Sequence, residues 1–251
     1  MRAATILAVS LLFTLVAAVQ AENFRIESRV FAGEDPAPVY RNLTIFQRHV
    51  VYDFLDGPAS ETTIYETTSG TFTLLDAERR VKTTLDRETL GKFVAGIKVL
   101  AGRKESIFRE AAEPKFEVTF DDRLERLNLK GNLIHYSAQG QPFVSDTAAS
   151  EYREFVDMYT RLNATQPNSL PPFARLELNA ALAGRGLCPT TVERKVLSKG
   201  PLKSEETIVR SEHTIAWRVL ASDQKRIDLV SRQRAEFEAV DFGRYRRLDA
   251  E

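Results

Sequence analysis

The sequence predicts an α+β domain in which an antiparallel sheet is crossed by amphipathic helices. Two adjacent stretches carry that expectation. Thr63-Ile64-Tyr65, Thr71 to Leu75 and Arg80 to Leu85 read as three short strands joined by tight turns at Ser69-Gly70 and Asp76-Ala77-Glu78-Arg79. A helix then starts at Asp86, with Leu90, Phe93, Val94, Ile97 and Leu100 along one face. Asp86 is its cap, since a carboxylate there accepts from an orphan amide of the first turn. A greasy helix that follows directly on a meander has to fold back over it.

Residues 1–21 are set apart from this fold. Arg2 is followed by an apolar run from Ala3 to Val19, and Val19-Gln20-Ala21 places small residues where a signal peptidase reads them. The expectation is a leader cleaved before Glu22, an uncleaved anchor being the other reading; seventeen residues, broken by Thr5, Ser10 and Thr14, are short for a membrane span. Residues 22–251 then form a single domain, located in the periplasm or outside the cell, with no stable membrane span.

Composition excludes several classes of partner. Lys plus Arg and Asp plus Glu are 35 each, and loss of Arg2 with the leader leaves 34 against 35. So even and interspersed a balance gives no footprint for nucleic acid. Cys188 is the one cysteine, so no internal disulfide is expected and stability must come from packing.

The remaining elements follow from local pattern. Phe24, Ile26, Ser28 and Val30 alternate with Arg25, Glu27 and Arg29, which is a half-buried strand. Leu43 to Phe46 and Val50 to Leu55 are two more, before a turn at Asp56-Gly57-Pro58. Phe116 to Phe120, Leu124 to Leu129 and Leu133 to Ser137 are expected strands, and Gly140, Pro142 and Ser145-Asp146 an expected loop. Tyr152, Phe155, Val156, Tyr159 and Leu162 mark a second amphipathic helix; a third runs from Pro171-Pro172 to Gly184 or Gly186. Thr190 to Leu197, Thr207 to Val209 and a face of His213, Ile215, Trp217 and Val219 are further strands, with Gly200-Pro201 before the second. Ser222 to Arg234 favours a helix capped by Ser222, and Ala235 to Phe242 a closing strand.

Chemistry-bearing motifs are sparse. His49, His135 and His213 stand far apart, without the paired spacing of zinc ligands, so no metal and no cofactor is expected; His213, on an apolar face, is the one to watch. Ser222-Asp223-Gln224-Lys225 has the serine-x-x-lysine spacing of penicillin-binding enzymes but lacks the companion motifs, and a helix start explains it. Asp121-Asp122 reads as a polar turn. No catalytic residue can be named, and the expectation is that the protein is not an enzyme. Cys188 is either a reactive thiol or a small buried residue, and the 171–187 segment either a docking element or a packed connector.

The hairpins from Phe24 to Leu129, above all Gly70-Thr71-Phe72-Thr73-Leu74-Leu75-Asp76 and the helix from Asp86, resemble the periplasmic lipoprotein-carrier superfamily. That resemblance implies a curved antiparallel sheet, a half-open barrel, with helices across its concave face as a lid over an apolar hollow. A similarity to exported proteins of planctomycete-type bacteria carries no activity with it. The implied function is non-catalytic binding of an apolar ligand, a lipid or acyl chain, between sheet and helices, with Leu90, Phe93, Val94, Ile97 and Trp217 as ligand-facing residues. The alternative is a cell-envelope protein–protein interaction module with a filled core.

Overall fold

The structure, a computed structural model, describes residues 23–56, 61–103, 107–199 and 204–247. The expected leader at 1–21, Gly57 and Pro58 of the turn expected at Asp56-Gly57-Pro58, and Gly200-Pro201 lie outside these residues. The first meander comprises β1 (Asn23–Ala32), β2 (Tyr40–Gln47), β3 (Val50–Asp56), β4 (Glu61–Glu66), β5 (Thr71–Asp76) and β6 (Val81–Asp86). Helices α1 (Arg87–Gly102) and α2 (Ile107–Ala112) lead to a second, β7 (Glu117–Asp121), β8 (Arg126–Lys130) and β9 (Ile134–Pro142). Helices α3 (Asp146–Asn163) and α4 (Phe173–Ala183) precede β10 (Leu187–Lys199) and β11 (Ser204–Ala216). The described residues end with α5 (Ala221–Glu236), β12 (Glu238–Ala239) and α6 (Phe242–Arg247).

All twelve strands join one sheet in the order β12-β6-β5-β4-β3-β2-β1-β11-β10-β9-β8-β7, which is not closed into a barrel. Every pairing is antiparallel except β12 on β6. The two meanders therefore meet at β1 and β11, where Ser28 lies opposite His213 and Val30 opposite Ser211. The α+β class expected from the sequence is the class observed.

Strand alternation decides where each helix lies. On one face Phe24, Ile26, Phe46, Val51, Tyr65 and Phe72 pack against α1, α3 and α6. The intervening residues Leu43, Ile45, Phe54, Ile64 and Leu75 pack against Ile227 and Val230 of α5. Strands β2 to β5 are thus buried on both faces, which is why they read as near-continuous apolar runs. Helices across a single face were the expectation; α5 corrects it by covering the opposite face. Its Asp223 is 2% exposed, pairs with Arg25 of β1 at 3.2 Å and accepts from the Leu220 amide at 2.8 Å. Asp223 thereby replaces Ser222 as the side chain that starts α5, while Ser222 itself is exposed. A third core, around Leu127, Leu129, Tyr136, Leu178 and Leu182, joins α2 and α4 to β8–β10.

Other departures have local causes. Gly140 and Pro142, expected in a loop, belong to β9: a Cβ on Gly140 would stand 2.7 Å from the Cys188 carbonyl oxygen, so glycine there marks a close approach beside the β-bulge at Pro189. Ala235 to Phe242 yields only the short β12 before α6, and one continuous β11 replaces two expected strands. Gly70 does adopt the positive φ of a hairpin turn, +65°. The 171–187 segment is a packed connector, with Ala174, Leu178 and Leu182 buried. Cys188 is fully buried, and desolvation pushes its thiol up to about 12, so it is a core residue rather than a nucleophile.

Asp86 caps α1 as expected, accepting from the Thr89 amide at 2.7 Å. The apolar stripe is narrower than expected: Leu90 and Val94 are buried, whereas Phe93 is 46% and Leu100 64% exposed. Leu90→Ala should therefore destabilise by the ~2–5 kcal/mol of a core truncation. Phe93→Glu should stay within about 0.5 kcal/mol of wild type, as for a surface change. Chemical denaturation of the two variants measures the contrast, and a larger loss for Phe93→Glu would overturn this placement of α1.

Candidate functional site

Between the sheet and the α3–α4 pair lies a cleft of about 1020 Å³. Its floor is built by cross-strand register. Val192 faces Ser211, Ser211 faces Val30 and Val30 faces Tyr40; beside that row run His213, Ser28, Asn42 and Leu55. All eight line the cleft, and Phe46, stacked on Phe24 at 4.1 Å, closes it at the apolar ends of β1 and β2. The roof comprises Tyr152, Val156, Tyr159 and Asn163 of α3, the 164–172 connector and the start of α4.

Roof and floor are tied through Asp53. Its carboxylate is 2% exposed and accepts from Thr44 Oγ1 at 2.5 Å, Tyr159 Oη at 2.9 Å and Asn42 Nδ2 at 3.1 Å. Burial raises its pKa, and the three hydrogen bonds oppose that rise. The bond to Tyr159 is the polar contact that fixes α3 over β3.

His213 occupies the floor with Ser28 Oγ at 2.8 Å from Nδ1 and Ser211 Oγ at 3.0 Å from Nε2. Desolvation lowers its pKa to about 4, and the Arg175 charge adds to the effect. A neutral imidazole donates from one nitrogen and accepts at the other, so both serine hydroxyls are served. So weak a base is poorly suited to activating a serine at neutral pH.

The residues expected to face the ligand lie elsewhere. Leu90 and Val94 are buried in the core against the sheet, Ile97 is half-buried, Phe93 points outward, and Trp217 packs on Phe24 and Phe143 with ring centroids 5.3 and 6.1 Å apart. None of the five lines the cleft. Asp53, Arg175 and Arg194, which do, were not singled out in the sequence; His213 was. Ser222 and Lys225 are both exposed on α5. Among the described residues no group of three or more His, Cys, Asp or Glu side chains is placed to hold a metal ion, and no helix is long and apolar enough to cross a membrane. No protein-family model matches the chain, and a search of curated proteins finds none that does.

Because burial pushes the folded His213 down to about 4, below a free imidazole, the unfolded chain binds its proton first as pH falls. Stability contributed at this site is present above about pH 6.5 and is lost as pH falls toward 4. Nuclear magnetic resonance should show the His213 ring neutral at pH 5.5. Between pH 7 and 4 the wild type should lose up to ~3 kcal/mol relative to His213→Gln. An imidazole titrating at 6.5 or above would contradict this environment.

Proposed function

We propose that the protein is an exported, non-catalytic binding protein that takes an amphiphile into the cleft between the sheet and α3–α4. The observation that carries this reading is the cleft itself, whose volume of about 1020 Å³ reaches the upper end of small-molecule sites. Its lining mixes Val30, Leu55, Val156 and Leu170 with Ser28, Asn42 and Ser211, a better match to a chain with a polar group than to bare hydrocarbon. The half-open barrel belongs to the same proposal. One helical layer contacts both ends of the sheet, through α1 and α6 at β6 and through α2 and α4 at β8–β10, which a strongly curved sheet would accommodate. Export draws its support from residues 1–21, and carriage of a lipid-like ligand from the resemblance to the periplasmic lipoprotein carriers.

The interaction-module reading has one observation in its favour, the exposure of Phe93 and Leu100 on α1. A fluorescent fatty acid separates the two. The wild type should take it up. Val30→Glu should lower affinity at least about tenfold, equivalent to 1.4 kcal/mol. A carboxylate facing the cleft stays hydrated, so the variant should melt within a few degrees of wild type, and Phe93→Glu should bind normally. No uptake by the wild type would remove the carrier reading and leave the interaction module.

A further inference from the structure

The cleft is not electrically uniform. Toward β4–β6, Arg246 pairs with Glu61 at 3.0 Å and Arg79 with Asp76 at 2.8 Å. Toward β9–β11 stand Arg175 and Arg194, and neither makes an ion pair with a carboxylate among the described residues. Arg194 lies on β10 between Tyr136 of β9 and Val209 of β11, both lining the cleft. Its Nε is buried without a hydrogen-bond partner. The residue also lines the cleft, where no carboxylate among the described residues neutralises it, so an anionic oxygen there would gain a charge-assisted contact.

Arg175 is the third residue of α4 and donates from Nε to Asn179 Oδ1 at 3.0 Å. Asn179 in turn donates to Asp157 Oδ1 at 3.0 Å, so the amide orients Arg175 while keeping the carboxylate one residue removed. The Arg175 charge acts on both His213 and Tyr152, which places it at the cleft. The first turn of α4 carries no acidic residue and no side-chain cap, and Pro171, Pro172 and Ala174 line the cleft. The partial positive charge of that helix end adds to the two guanidinium groups.

We infer that the cleft's ligand carries an anionic oxygen group, a carboxylate or phosphate ester, which docks on Arg175 and Arg194. Its chain then lies over Val209, Val30, Tyr40 and Leu55, successive cleft-lining positions from β11 to β3. This inference rests on the amphiphile reading above and adds the chemistry of the head group.

Calorimetric titration of the protein with octyl phosphate, octanol and inorganic phosphate tests it. The wild type should bind octyl phosphate at least tenfold more tightly than octanol. Arg194→Gln and Arg175→Gln should each weaken octyl phosphate binding severalfold more than they weaken octanol binding. Arg194→Lys, which keeps the charge, should retain most of the preference. Equal binding of octyl phosphate and octanol by the wild type, or an unchanged preference in both glutamine variants, would overturn the anion site and leave the amphiphile reading standing. Absence of binding by either octyl compound would overturn both. Inorganic phosphate binding as tightly as its octyl ester, and losing affinity in the variants, would support the anion site and remove the amphiphile reading.

Discussion

The hydrogen bond from Tyr159 to Asp53 is the constraint on which the cleft depends. Helix α3 is pinned at one flank by Phe155, Met158 and Leu162 in the main core. Its cleft-facing flank reaches the floor through the Tyr159 hydroxyl, which donates to Asp53. Asp53 can hold that position because Thr44 and Asn42 satisfy the rest of its carboxylate. A buried carboxylate with no arginine beside it is tolerated only when its lone pairs are filled in this way. The helix is therefore tethered above the sheet at one point and packed against it at another, and the space between remains open.

The opening originates in the composition of two strands. Along β1 one face reads Phe24, Ile26, Ser28, Val30, and along β2 the same face reads Phe46, Thr44, Asn42, Tyr40 from the matching end. At the Phe24–Phe46 end, aromatic side chains meet Phe155 edge-on at 5.6 Å from Phe46, and the layers close. Beyond Ile26 on β1 and from Thr44 on β2, the floor turns to hydroxyl and amide groups that gain nothing from dry contact with a helix, so water or a ligand with a polar group is the better neighbour. A single sheet face thus serves as core at one end and as binding floor at the other.

The parts of this architecture that depend on near neighbours were legible in the sequence. Strands β1 to β6, the Asp86 cap and the body of α3 from Tyr152 follow from alternation, turn residues and helical spacing, whereas Ser145 and Asp146, expected in a loop, cap and open α3. Errors arose where the deciding contact is distant. Phe93 shares the spacing of a buried stripe, yet α1 packs on the sheet through Leu90 and Val94, and the stripe runs off the contact by Leu100. Gly140 looks like a loop glycine until β10 is seen to crowd it. Helix α5 has a weak apolar face, and its start is set by Asp223, whose second partner is Arg25, 198 positions away. The cleft was the least legible feature. Asp53, Tyr159, Arg175, Arg194 and His213 come from five elements, and the register from β10 through β11, β1 and β2 to β3, with α3 and α4 packed over it, brings them to one cleft.

Backbone hydrogen exchange with and without a saturating acyl ligand addresses the central claim, that the ligand sits between the sheet and α3–α4. Slower exchange on binding is predicted in β1, β2 and β11, in the C-terminal half of α3 and in the 164–172 connector, with α1 unchanged. Protection confined to α1 around Phe93 and Leu100, with no change across the cleft, would contradict it.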